Sequence, residues 1–371
     1  MKDYLEGAET DLLRRGHLLL TKIPSQQPRE FFLLTQRCRD ELTKLLDELQ
    51  NLKTLLPRER LRWFQRIVAD IDLLEITGFA ALNRATDDDR YLNVLIERIT
   101  KEINYPLLPP VVTSLSQGYF YIYPHLGLLC VPLGEADALL HLPDLYHELA
   151  HPLIEARYEP RVQPFRAGLS QALLIVRAYI AAEQEREQRS RGPQSFQVYL
   201  NIWWKSWNEG WLVELFCDLF ATYTLGPAYA WSNLHLCAKR GGDTFIVPRH
   251  NVTAHPADDA RMTVMLHGLR LAGFATEADD IVAHWKQFIE IAEYKQTAEF
   301  RRCFDLNMLE KLVEIGYHAV EQMGCRIAQR STSDRLHTLF NVAWQQFWQD
   351  PKRYANWEAT AVQQLRQHLI P

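Results

Sequence analysis

His141-Leu-Pro-Asp-Leu-Tyr-His-Glu-Leu-Ala-His-Pro-Leu-Ile-Glu155 is the stretch on which the reading of this chain turns. Pro143 suits the first turn of a helix, where its missing N–H has no partner in any case. Asp144 favours the same end through the helix dipole. Leu145, Leu149 and Leu153 recur at four-residue spacing, which predicts an apolar helix through the segment. His147 and His151 are also four apart, so they project from one face of that helix, a turn apart. Both can aim a ring nitrogen at one Zn²⁺. Glu148 projects beside the same point, where it can take a proton from an attacking water and pass it to a leaving amine. A lone HExxH also occurs by chance on surface helices, so its meaning depends on its surroundings.

A catalytic zinc takes three protein ligands and keeps one position open. The third ligand is sought in WNEGWLVELFCDLFATYTLGPAYA, residues 207–230. Glu214 and Asp218 lie four apart on a face that Trp203, Trp207 and Trp211 continue. Carboxylates on an apolar, aromatic face are costly to bury without a purpose. Zinc ligation by Glu214 supplies one, and Asp218 would accept a hydrogen bond from the free ring nitrogen of a zinc-bound histidine, His147 first. Oxyanion stabilisation calls for one more group. The candidates are His255 and Tyr223, with His235 and His250 behind them. Arg261 is expected to pair with Asp258 or Asp259 nearby, ahead of the alternative of a substrate carboxylate. The tryptophans are expected in the core.

Upstream, Val111-Val112, Gly118–Pro124 and Leu126–Pro132 are β-branched and aromatic runs bounded by Pro and Gly, and read as strands. The last two, with His125 between them, form a candidate hairpin. A strand beside the HExxH helix would let an extended substrate add to a sheet edge. Around this centre the pattern is helical. Apolar residues recur at helical spacing over Glu30–Leu56, Arg60–Leu82 and Arg90–Ile103. Further helices are expected over Arg166–Arg189 and Val198–Leu225, the second stopped by Gly226-Pro227. The first ends in a charged loop broken at Gly192-Pro193. Residues 238–256 read as loop, and helices resume at Asp258. The fold class is therefore mainly α, of the α+β kind, with a small sheet packed against the HExxH helix. Three regions follow: helical 1–105, a catalytic core over 106–265, and helical 266–371.

The bulk numbers agree with a globular chain. Of 371 residues, 47% are hydrophobic and 23% charged, enough to bury a sizeable core. The net charge of -5 lacks the basic excess of a nucleic-acid binder. No apolar run reaches the roughly eighteen residues of a membrane span, and the N-terminus does not read as a secretory signal. Six cysteines, none in a CxxC pair, suggest free thiols in a reducing cytoplasm.

HExxH followed by ExxxD resembles the gluzincin metallopeptidases, the thermolysin-like clan. ELFCDLFA looks like the glutamate helix of the CAAX-protease and heat-shock metalloprotease family. Ala254-His255-Pro256 followed by Arg261 is similar to that family's HPxxxxR segment. The resemblance covers roughly residues 118–265. It implies a zincin-like core, a Zn²⁺ cofactor, His147, His151 and Glu214 as ligands, Glu148 as general base and Asp218 behind the ligands. The chain departs from it in lacking membrane helices and in the 62 residues between His151 and Glu214. The expectation is a zinc-dependent peptidase acting on a peptide or protein, with no nucleic acid and no membrane span. The flanking helices offer a surface for a protein partner. The alternative is a helical interaction protein whose metal site is non-catalytic or vestigial.

Overall fold

Apolar residues at helical spacing become helix along most of the chain, and the protein is mainly α with a little β. The computed structural model describes residues 2–25, 28–116, 118–190 and 194–369. The Gly192-Pro193 break lies outside them. The chain divides into two compact units. One comprises Met1–Glu97, Pro109–Ala136 and Arg366–Pro371; the other comprises Arg98–Leu108 and Asp137–Leu365.

The first unit contains α1 (Lys2–Thr21), α2 (Phe32–Asn51), α3 (Pro57–Leu74), the short α4 (Ala80–Asn83) and most of α5 (Asp87–Glu102). Leu34, Cys38, Leu42, Leu45 and Leu49 of α2 lie in its core with Ile67, Ile71 and Leu74 of α3. Its sheet has the order β1-β3-β2, from β1 (Val111–Ser116), β2 (Tyr121–Tyr123) and β3 (Leu128–Pro132). The hairpin expected around His125 is present, with Ile122 opposite Leu129. β1 runs parallel to β3, a pairing that no local turn encodes. The outer edge of β1 is occupied. Asn93 donates to the Val112 carbonyl and accepts from its N–H, at 2.7 and 2.9 Å, and Asp89 accepts from the Ser114 N–H at 2.6 Å. Side chains from α5 thus satisfy groups that an added strand would need, a common protection of exposed edges.

The second unit carries α6 (Asp144–Glu148), α7 (His151–Glu155), α8 (Gln163–Ser190), α9 (Gln194–Ser206), α10 (Leu212–Leu225) and α11 (Pro227–Arg240). There follow α12 (Asp258–Leu271), α13 (Ala275–Ile291), α14 (Ala298–Cys303), α15 (Leu306–Gln322), α16 (Arg335–Gln349) and α17 (Tyr354–Leu369), whose last residues belong to the first unit. α10 is the centre of this unit, packed against α6, α7, α8, α11, α12 and α15. Its residues are apolar on every side, as a fully enclosed helix requires, so the carboxylates of Glu214 and Asp218 are carried into the interior with it. It stops where Gly226 takes φ +85°, a conformation that favours glycine, and Pro227 opens α11. No helix among the described residues is long and apolar enough to cross a membrane.

Candidate metal centre

The HExxH segment is not one helix. α6 ends at Glu148 and α7 begins at His151, with Leu149 and Ala150 between them. Pro152 has no N–H to give the Glu148 carbonyl, so the regular ladder cannot run through this point. The turn tightens instead, with Ala150 N–H bonding the His147 carbonyl and Leu153 N–H bonding that of Ala150, at 3.0 and 3.1 Å. The Leu149 carbonyl accepts from the buried Tyr105 hydroxyl at 2.7 Å. The break keeps the two histidines together: their ring centroids are 5.2 Å apart. Leu145, Leu149 and Leu153 are fully buried, which anchors both short helices.

α10 supplies the carboxylates. Glu214 Oε2 lies 3.4 Å from His147 Nε2, and Oε1 lies 3.9 Å from His151 Nε2. Asp218, one turn on, meets the other side of His147, with Nδ1 to Oδ1 at 2.9 Å. Two further groups complete this arrangement: Tyr229, which nothing in the sequence singles out, and Arg261, for which the sequence suggests other partners. Tyr229 on α11 donates its hydroxyl to Asp218 and sits 2.9 Å from His147 Nδ1. Arg261 on α12 binds both oxygens of Asp218, Nε to Oδ2 at 2.8 Å and Nη2 to Oδ1 at 2.6 Å. Arg261 therefore does not pair with the acids expected for it. Asp258 accepts from Arg240 and Asp259 from the Trp285 indole. Both expected partners head α12, whereas Arg261 points down into the core towards α10.

Charge explains how so many ionisable groups stay buried. Burial alone would raise the carboxyl of Asp218, but Arg261 and His147 drive it well below the usual range. Burial works against Glu214 too, and hydrogen bonds from His147 and His255 overcome it. Burial opposes the His147 cation, yet Asp218 and Glu214 outweigh it and hold this imidazolium up to about 10. His151 goes the other way, brought down to about 4 by burial and by the neighbouring His147, so its ring is neutral at ordinary pH. Burial lifts Glu148 to about 7, with His147 pulling against it.

These residues suit a divalent cation. His147 is clamped through Nδ1, leaving Nε2 to face Glu214, and His151 offers a neutral ring beside it. Among the described residues, the trio of donors close enough together to share a metal ion is formed with Cys217. The Cys217 thiol and one ring nitrogen from each histidine lie within 4.8 Å of one another. Glu214 has the stated approach to both Nε2 atoms and lies nearer the surface; Cys217 is wholly buried behind it.

His255 is also brought to the site. Its Nδ1 is 3.1 Å from Glu214 Oε2 while the side chain is 63% exposed, so it stands at the open side. Its loop is docked on a π-turn, Trp207–Trp211, between α9 and α10. Trp211 donates to Thr253 Oγ1 at 3.0 Å, and the Thr253 N–H donates to Ser206 at 3.2 Å. Gly210 permits the contact: a Cβ there would fall 2.5 Å from the Ala254 carbonyl oxygen. The other oxyanion candidates are placed elsewhere. Tyr223 is buried, its hydroxyl given to the Val313 carbonyl at 2.7 Å. His235 stacks on His141, and His250 is exposed on the loop after α11. Trp203, Trp207 and Trp211 are core residues.

Compared with known proteins, the chain matches no family model, no curated protein and no solved structure.

Proposed function

We propose that this chain is a zinc-dependent peptidase, with His147, His151 and Glu214 holding the metal and Glu148 acting as general base. The observation that carries the reading is the convergence of Glu214 on both histidines while Asp218, Tyr229 and Arg261 fix His147 from behind. Imidazoles that ligate zinc characteristically give their other nitrogen to a carboxylate. Zinc bound here would supply Lewis acidity towards a scissile carbonyl and lower the pKa of a water.

The protein's own groups do the rest. Glu148, with its raised proton affinity, takes a proton from the attacking water as the oxygen–carbon bond forms. It returns the proton to the amine nitrogen as the carbon–nitrogen bond breaks. His255, at the open side, is placed to donate to the developing oxyanion. Arg261, Asp218 and Tyr229 touch no substrate and act by holding His147. The substrate on this reading is a peptide or protein, and helices outside the site are surfaces for a protein partner. All six cysteines are buried and none is joined in a disulfide, which supports a reducing, cytoplasmic setting.

Elemental analysis of wild type beside Glu214→Ala tests the ligand set, and peptide hydrolysis by Glu148→Gln tests the base. The expected result is one zinc per chain in wild type, loss or weakening of it in Glu214→Ala, and a Glu148→Gln protein that keeps zinc and cuts nothing. A wild type that takes up no zinc, or a Glu148→Gln protein as active as wild type, sinks the proposal.

A further inference from the structure

Cys217 follows Glu214 by three residues on α10, so both side chains lie on the same side of that helix. Its sulfur shares a small volume with one ring nitrogen from each of His147 and His151, all within 4.8 Å. Donors at about 2.1 and 2.3 Å from a tetrahedral zinc stand about 3.6 Å apart. Small side-chain rotations therefore bring this trio to ligand distances without moving the helices. A buried cysteine is ordinarily a small apolar filler, and Cys38 and Cys303 fit that description, perturbed by burial alone. Cys217 has different company: burial and the carboxylates of Glu214, Asp218 and Glu148 hold its proton on while Arg261 pulls the other way, so a thiolate there needs a bound cation.

We propose that Cys217 is a fourth protein donor beside His147, His151 and Glu214, so that the resting metal site is closed by a thiolate. This rests on the metallopeptidase reading and adds regulation to it. Tetrahedral sites with four protein ligands are structural, whereas catalytic ones leave a position to water or substrate. Cys217 thus keeps the peptidase latent until its sulfur leaves the metal. The bond forms as the thiol gives its proton to solvent, and opening reverses that exchange; no oxidant or reductant takes part. The sulfur approaches from the core, and Glu214 and His255 occupy the side nearer solvent. Release of the thiolate would free one coordination position of the metal for water or substrate.

The test uses the full chain, loaded with Zn²⁺ for X-ray absorption and with Co²⁺ for electronic spectroscopy, in wild type, Cys217→Ser and Cys217→Ala. The expected wild-type result is one sulfur neighbour at about 2.3 Å from zinc and a thiolate-to-cobalt charge-transfer band in the near ultraviolet. Both should vanish in the variants while one metal per chain is retained. The wild-type spectra stand alone if a variant misfolds. One metal per chain held by nitrogen and oxygen only would overturn the Cys217 assignment and leave the peptidase reading intact. A sulfur signal that survives both substitutions would also overturn it. A wild type that binds neither zinc nor cobalt would overturn both.

Discussion

Arg261→Met is the substitution whose consequence the structure defines most tightly. Arg261 and Asp218 are both buried, and two short hydrogen bonds join them. Methionine keeps most of the volume and removes the cation, so Asp218 is left as a buried carboxylate with His147 and Tyr229 for company. Breaking a buried pair from one side costs about 3–5 kcal/mol, because the stranded charge has lost its compensation. In metal-free protein the imidazolium of His147 still faces Asp218, so the lower end, about 3 kcal/mol, applies here. The assay is a double-mutant cycle by urea unfolding of metal-free wild type, Arg261→Met, Asp218→Asn and the double variant. Asparagine removes the stranded charge, so the double variant is expected to lie closer to wild type than the sum of the single losses, with a coupling of about 2 kcal/mol. A loss below about 1 kcal/mol in Arg261→Met, or a coupling near zero, would refute the claim that Arg261 keeps Asp218 charged in the core.

Tyr229→Phe removes a hydroxyl that both Asp218 and His147 use. A fall of about 10-fold in zinc affinity by chelator competition is expected, and an unchanged affinity would remove Tyr229 from the site. Gly210→Ala places a Cβ 2.5 Å from the Ala254 carbonyl. Both sides of that clash are backbone, so about 1–3 kcal/mol of stability should be lost and the His255–Glu214 contact broken. An unperturbed His255 resonance and unfolding midpoint would contradict this. Burial holds Glu148 at about 7 against an ordinary 4.5, so between those values the folded protein keeps a proton that the unfolded chain has released. Metal-free wild type should therefore lose stability as pH rises through that window. Glu148→Gln should gain on it by up to about 3 kcal/mol, at about 1.4 kcal/mol per pH unit. A difference that is flat with pH would refute it.

The parts of the fold written in short-range spacing could be read directly. The apolar stripe of α2, the stop at Gly226-Pro227 and the hairpin from β2 to β3 depend on neighbours within a few residues. The juxtaposition of His147 with His151 belongs to the same class, and so does the pairing of Glu214 with Asp218 along α10. The split at Leu149–Ala150 was also within reach, because Pro152 forbids one helical bond; the four-residue leucine spacing masked it. What could not be read depends on how distant elements meet. β1 finds β3 in parallel only after the hairpin exists. Tyr229 follows a sharp turn at Gly226, which scrambles its angular relation to Asp218. Arg261 stands among acids in sequence, and its choice of Asp218 is fixed by the packing of α12 on α10.

The buried charge indicates why these residues belong to one site. Asp218 is matched by Arg261, which leaves Glu214 as a second carboxylate in the interior. Without a metal, the imidazolium of His147, which Asp218 and Glu214 together keep charged against burial, is what matches it. Glu148 stays protonated up to about 7 because burial, with Glu214 and Asp144, outweighs the pull of His147 and Arg261. A divalent cation among His147, His151 and Glu214 would take over the role of that imidazolium charge. Its second charge would then favour the ionised form of either Glu148 or Cys217. A base at Glu148 and a thiolate at Cys217 thus draw on the same surplus of positive charge. An open, hydrolytic site and a closed, latent one are two ways of distributing it, and the sulfur signal distinguishes them.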